Sequence, residues 1–313
     1  MSVVHLTNLP ASVKQRLMNL SRKTQVEFNV LLTKYALERF LYRLSVSRSR
    51  LHFILKGALL FGVWSKELHR TTRDADVLSL QPPSLERLAS DFRKICEVQA
   101  EPDGIRFLPE SVQAQEIRRQ NIFGGIRITL KGVLGKATVP LQIDVGFGDA
   151  CIPPAKMVRY PVLLDFPAPR LRAYARETMI AEKFHAAVDL GMRNSRMKDY
   201  FDIFYLSRKF GFRGEDLSQA LIATFERQKT PIPWRTPRGL STDFALDPTK
   251  GVQWNSFLIQ TNAMTLEKNF AGVVESVRKF LMPAARAAAR AESFDKLWPP
   301  GGPWRPREKD HDG

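Results

Sequence analysis

The sequence predicts an α/β fold: a mixed sheet with helices in the first half, followed by a mainly α-helical C-terminal region. Three observations lead to it. Short runs that alternate apolar and polar residues, or stop at a glycine, cluster before residue 150. Apolar residues recur at helical spacing ahead of those runs, and again from Glu177 onward. Proline- and glycine-rich stretches punctuate the periodic segments.

The elements follow in order. Asn8 before Leu9-Pro10 is a helix start, because its side chain can cap a free amide and proline has no N–H to leave unpaired in the first turn. Phe28, Leu32, Ala36, Phe40 and Leu44 make an i, i+4 stripe, so residues 9–46 are expected as two packed helices. Residues 51–56 read as a strand ending at Gly57, then a brief helix over 58–66 and a polar loop into a strand over 76–80. Ser84 caps a helix with an acidic start and a basic end, running to about Val98. Residues 126–130 and 139–145 alternate, and Gly135-Lys136 between them predicts an antiparallel hairpin. Pro140 cannot donate to a ladder and is expected near a strand start or an edge.

Helical periodicity runs from Glu177 to Arg227, broken at Leu190-Gly191, and returns around 254–258 and 266–281. The proline-rich stretch 229–239 is expected as a linker or surface loop. The predicted organisation is a helical N-terminal segment plus an α/β core over 1–165, a mainly helical domain over 166–282, and a disordered tail over 283–313.

Composition narrows the function classes. A net charge of +16 favours polyanionic partners, since each cation–phosphate contact releases condensed counterions. A solvated basic surface is the plain alternative. No run approaches the roughly 20 apolar residues of a membrane span, and the first residues lack a basic segment followed by an apolar one. The expected location is the cytoplasm, with no membrane partner. Cys96 and Cys151 are expected as free thiols, and the scattered positions of the five histidines argue against a His-ligated zinc site.

The most specific chemistry lies in Lys56-Gly57-Ala58-Leu59-Leu60, followed by Arg70-Thr71-Thr72-Arg73-Asp74-Ala75-Asp76. Aspartates at i, i+2 entering a strand point the same way, so Asp74 and Asp76 can reach one cation. Such hard oxygen ligands suit Mg²⁺, or Mn²⁺, held together with substrate phosphates. Gly57 at a strand-to-helix turn lets backbone amides approach a phosphate. In Leu141-Gln142-Ile143-Asp144-Val145 the apolar residues take one face, which puts Asp144 on the other with Gln142. It reads as a third metal carboxylate, or as a solvent-exposed acid on an amphipathic strand.

Residues 177–186 and 197–202 read as two helices joined by a turn at Gly191-Met192. Lys183 lies between alanines, where a compact cation can meet a triphosphate. Asp199 and Asp202 share a face, and a structural ion pair of Lys183 with Asp199 is the competing reading. Arg193, Arg196 and Lys198 make a basic turn suited to an RNA backbone. His185 reads as a packing residue.

In this order, the Lys-Gly-x-x-Leu and Arg-x-Thr-x-Asp-x-Asp runs, Ile143-Asp144-Val145-Gly146 with Gly148-Asp149, Ile180-Ala181-Glu182-Lys183 with Ala186, and Arg196-x-Lys198-Asp199-x-x-Asp202 resemble the AbiEii/AbiGii toxin family. These are nucleotidyltransferase-like toxins of type IV toxin–antitoxin and abortive-infection systems, with MenT-like members among them, and the likeness spans about residues 10–280. The resemblance implies a nucleotidyltransferase core and a Mg²⁺-dependent enzyme that takes a nucleoside triphosphate. It also implies a toxin with a cognate antitoxin, and in MenT-like members nucleotide addition to the acceptor end of tRNA. It puts the family's metal pair on Asp74 and Asp76, its helix lysine on Lys183 and the acid of its Lys-Asp motif on Asp199, with Arg70 and Thr72 in the polar loop. Lys56 and Gly57 join the nucleotide-binding positions, and Asp144 matches a family acid. Gly57-Ala58 stands where the family usually has Gly-Gly. Nucleotidylation of a protein or small molecule, and an inactive nucleic-acid- or antitoxin-binding protein, are the alternative readings.

Overall fold

In the computed structural model, which describes residues 8–65, 72, 74–117, 124–261 and 269–307, the chain divides into two units. The first is Met1–Gly148 with Lys156–Ala173, and the second is Asp149–Ala155 with Tyr174–Gly313.

The first unit opens on α1 (Leu9–Thr24), whose first turn is capped by the Asn8 side chain accepting from the Ala11 amide at 3.2 Å. Helix α2 (Phe28–Val46) follows, then β1 (Phe53–Lys56), a 3-10 turn over Gly57–Leu59 and the short α3 (Leu60–Trp64). Next come β2 (Asp74–Ser79) and α4 (Leu85–Cys96), capped by Ser84 as expected. The unit continues with β3 (Ile105–Ile117), β4 (Gly125–Leu134), β5 (Ala137–Phe147), β6 (Lys156–Arg159) and β7 (Arg170–Ala173).

These strands form one sheet in the order β3-β4-β5-β2-β1-β7-β6. It is mixed: β2 runs parallel to β5 and β1 parallel to β7, while the other pairs are antiparallel. The expected hairpin joins β4 and β5 through Gly135, whose φ of +60° suits a tight turn. Pro140 pairs with Lys131 on β4, but the β2 ladder begins only at Gln142, so no β2 residue stands beside the proline to ask for its missing N–H.

One face of the sheet is the core. Phe53 of β1 meets Phe92 of α4, and Phe40 of α2 touches both Phe92 and Phe107 of β3, with ring centres 5.4–5.7 Å apart. Ala75, Val77, Ile128, Ile143 and Val145 share that face and are all but fully buried. The alternation that buries them turns Asp74, Asp76, Gln142, Asp144, Arg127 and Thr129 to the opposite face. Glu38 of α2 is fully buried, accepting from the Leu163 amide at 2.8 Å.

The second unit holds α5 (Arg176–Leu190), α6 (Met197–Lys209), β8 (Phe212–Arg213), α7 (Gly214–Arg227), α8 (Thr242–Leu246), α9 (Pro248–Thr261), α10 (Phe270–Ala289), β9 (Lys296–Trp298) and β10 (Arg305–Pro306). The small strands make a sheet in the order β10-β9-β8. Both cysteines are free thiols. Among the described residues no helix is long and apolar enough to cross a membrane.

Two expectations are corrected. The first unit does not stop at residue 165, because β7 pairs with β1 and carries the sheet to Ala173. The stretch 283–307 is not a disordered tail. Helix α10 runs on through Pro283 to Ala289, Trp298 is 6% exposed with its indole donating to Ser207 O at 2.7 Å, and the Trp304 indole donates to Phe280 O at 2.8 Å. Proline and charge content suggested disorder, but two tryptophans bury enough apolar area to hold the segment against Phe280.

Candidate functional site

Backbone register brings most of the predicted residues of the first unit into one row. Lys56 on β1 lies opposite Asp76 on β2, Asp76 beside Asp144 on β5, and Asp144 opposite Arg127 on β4. Directly opposed residues project from the same face with Cβ atoms about 5 Å apart. One step along the strands a second row holds Asp74, Gln142 and Thr129. Asp74 and Asp76 are half-buried, while Lys56 is 6% exposed.

Two local devices shape the aspartate pair. The Thr72 hydroxyl donates to Asp74 Oδ1 at 2.6 Å, fixing that carboxylate's rotamer. Gly57 has φ +73°, and a Cβ there would fall 2.2 Å from Asp76 Oδ2. The Asp76 carboxylate thus occupies the space a side chain at position 57 would need, and only glycine lets strand and turn meet it. Arg70 lies outside the described residues.

Asp144, expected as a third metal carboxylate or a plain acid of the strand's polar face, has a guanidinium partner. Arg127 grips it through both oxygens, Nε to Oδ1 and Nη2 to Oδ2, each at 2.9 Å. Asp144 and, more weakly, Asp74 and Asp76 raise the basicity of Arg127. The guanidinium therefore supplies counter-charge to the acidic row. Among the described residues no group of three or more His, Cys, Asp or Glu side chains is placed to hold a metal ion. The pair Asp74 and Asp76 does fit Mg²⁺, because that ion is commonly held by one or two carboxylates completed by water and substrate phosphate. Beyond Arg127 the polar face opens into a cleft of about 590 Å³ lined by Gln113, Gln115, Thr129, Glu86 and Arg93.

Arg127 was not singled out from the sequence. The signal was there: Ile126 and Ile128 are core residues, and the two-residue turn at Gly135-Lys136 sets Arg127 against Asp144.

In the second unit, Gly191 (φ +50°) ends α5, a 3-10 turn covers Gly191–Arg193, and α6 starts at Met197. The hairpin brings Lys183 together with both acids of α6. Its ammonium lies 2.6 Å from Asp199 Oδ1 and 2.9 Å from Asp202 Oδ2, and these acids are 2% and 0% exposed. Arg196 adds a contact to Asp199 Oδ2 at 3.0 Å. The competing reading of Lys183 as an ion-pair partner thus has direct geometric support. Arg193, Arg196 and Lys198 are all exposed on the turn. Buried Asn194 shapes it, accepting from the Arg196 amide at 2.9 Å, while Lys250 donates to the Asn194 carbonyl at 3.0 Å. His185 is a packing residue, edge-on to Phe225 and 2.9 Å from the Thr230 hydroxyl, and burial lowers its pKa.

Comparison with known proteins adds three findings. Residues 39–282 match the family described as nucleotidyl transferase AbiEii toxin, type IV TA system. No curated protein matches the chain. Among solved structures, JHP933 from Helicobacter pylori is similar at 15% identity, with 84% of this chain and 92% of that one covered and a TM-score of 0.46. A proposed nucleotidyltransferase from H. pylori is similar at 16% identity, with 85% and 97% covered and a TM-score of 0.43. The family match alone spans most of the sequence, and by it the chain belongs to the AbiEii nucleotidyl transferase toxins of type IV toxin–antitoxin systems and is a nucleotidyltransferase.

Proposed function

We propose that this toxin acts in the cytoplasm as a Mg²⁺-dependent nucleotidyltransferase that moves nucleotides from a nucleoside triphosphate to RNA, with the acceptor end of tRNA as its preferred target. The observation that carries the reading is the row Lys56, Asp76, Asp144 and Arg127, with Asp74 one step away and Gly57 closed against Asp76.

Asp74 and Asp76 would hold the divalent ion, which supplies charge neutralisation at the transferring phosphoryl group. Thr72 holds Asp74 in place, and the turn at Gly57, which carries no side chain of its own beside Asp76, would let backbone amides approach the phosphates. Lys56 offers positive charge beside Asp76. Arg127 grips both oxygens of Asp144, which favours Asp144 as a support of the row over a third metal ligand. Lys183 and Asp199 enter as a fixed ion pair that sets the α5–α6 hairpin, and the lysine meets a triphosphate by exchanging one carboxylate partner. Exposed Arg193, Arg196 and Lys198, with the overall charge of +16, favour an RNA backbone over a small neutral acceptor. The tRNA end comes from the likeness to MenT-like toxins, and a cognate antitoxin from the family.

The test is incubation of the purified protein with each labelled nucleoside triphosphate and total RNA, with and without Mg²⁺. Label should enter an RNA band of tRNA size, and a chelator should abolish it. Label on protein, or on a small molecule, would replace RNA as the acceptor.

A further inference from the structure

The proline-rich stretch 229–239, expected as a plain surface loop, is held at both ends in the second unit. Near its start the Thr230 amide donates to Phe225 O at 3.0 Å and the Thr230 hydroxyl meets His185 Nε2 at 2.9 Å. At its end the Tyr200 hydroxyl donates to Gly239 O at 2.9 Å, and a Cβ on Gly239 would fall 2.2 Å from Ala187 O. Pro231, Pro233 and Pro237 restrict φ between these anchors. The loop is therefore preorganised.

Its tip presents Trp234, 52% exposed although the Arg235 guanidinium lies 4.1 Å from its ring centre. The other four tryptophans are buried or half-buried. Packing does not explain an indole left in water on a rigid loop. The loops about it are rich in cations: 229–239 carries Lys229, Arg235 and Arg238, and 190–198 carries Arg193, Arg196 and Lys198, with no Asp or Glu within either segment, although Arg196 pairs with Asp199 just beyond. The loops adjoin, since a Cβ on Gly191 would lie 3.6 Å from the Arg238 Cβ.

We infer that the Trp234–Arg235 tip is a stacking platform for an unpaired nucleobase of the acceptor RNA, with the cations of the two loops following its phosphates. The inference rests on the RNA-acceptor reading above. An aromatic face beside a guanidinium and a row of exposed cations is what single-stranded RNA requires, because every base offers a π-face and every phosphate a charge. An acidic protein segment would use the cations but has no need of the exposed indole.

The experiment measures binding of the full-length protein to a short labelled oligo(A) RNA and to a duplex RNA of equal length, across a salt series. Trp234→Ala should weaken oligo(A) binding roughly 5- to 100-fold, leave duplex binding and the melting temperature unchanged, and keep the wild-type salt slope. Trp234→Phe should recover most of the loss. Arg235→Ala with Arg238→Ala should instead flatten the slope, by about 0.7 log units per tenfold salt for each lost contact. Equal oligo(A) affinity in Trp234→Ala, or equal losses on single strand and duplex, would overturn the platform while leaving RNA as acceptor. Competition by polyglutamate as strong as by unlabelled oligo(A) would reassign the loops to an acidic protein. No binding of either RNA by the wild-type protein would remove the RNA-acceptor reading itself.

Discussion

A methyl group at position 57 has nowhere to go. Gly57→Ala would set a Cβ against Asp76 Oδ2 at a φ of +73°, costing about 1–2 kcal/mol in backbone strain and pushing the carboxylate aside. Displacement of a catalytic group by an ångström can slow a reaction about a hundredfold, so transfer should fall by that order while the melting temperature drops only modestly. Lys183 behaves differently. Its ammonium neutralises two buried acids, and Lys183→Ala should destabilise the protein by roughly 3–5 kcal/mol in urea unfolding. A loss below about 1 kcal/mol would show that the lysine is not needed there and is available to a triphosphate. Glu38 gives a pH signature. Burial pushes its carboxyl up to about 7, against the Leu163 amide and the charges of Arg39 and Lys34. A folded-state value above the unfolded one favours the fold at low pH, and that contribution is lost as pH rises from about 4.5 through about 7. The loss is about 3 kcal/mol. Glu38→Gln should therefore stabilise the protein relative to wild type near about pH 8 and not near about pH 5 in urea unfolding.

At the scale of elements, the segment after α10 gives the clearest test. Trp298 is buried against Phe280 and Trp304 and donates to Ser207 O, so Trp298→Ala should cost about 3–5 kcal/mol, whereas a disordered tail would register no change in urea unfolding. Its composition hid this because proline, glycine and charge dominate the count while two indoles supply the burial. The β4–β5 hairpin was legible for the opposite reason: each strand alternates cleanly and a two-residue turn fixes the register, so Asp144 fell on the polar face as expected. The same register sets Arg127 against Asp144 and gives that carboxylate a guanidinium partner. Strand β3 was not legible. Pro109, Glu110 and a register shift between Leu108 and Gln113 break its alternation. Strands β6 and β7, four residues each and rich in arginine and lysine, carry too few apolar residues to show a period.

For the whole molecule, the family and the α/β core were readable from short motifs in order, because each motif keeps distinctive residue types at a fixed spacing within or beside a regular element. What the motifs did not reveal was how their side chains pair: Asp144 to Arg127 and Lys183 to both Asp199 and Asp202. In the proposed function Asp74 and Asp76 are the acids for a divalent ion, and on them the proposed chemistry depends. The most direct measurement is single-turnover transfer from a labelled nucleoside triphosphate to tRNA by wild type and Asp76→Asn, with Mg²⁺ titrated and folding checked by thermal melting. The account predicts Mg²⁺-dependent labelling by wild type and loss of more than about a thousandfold in Asp76→Asn, at an unchanged melting temperature. Near-normal turnover by a folded Asp76→Asn protein would contradict it.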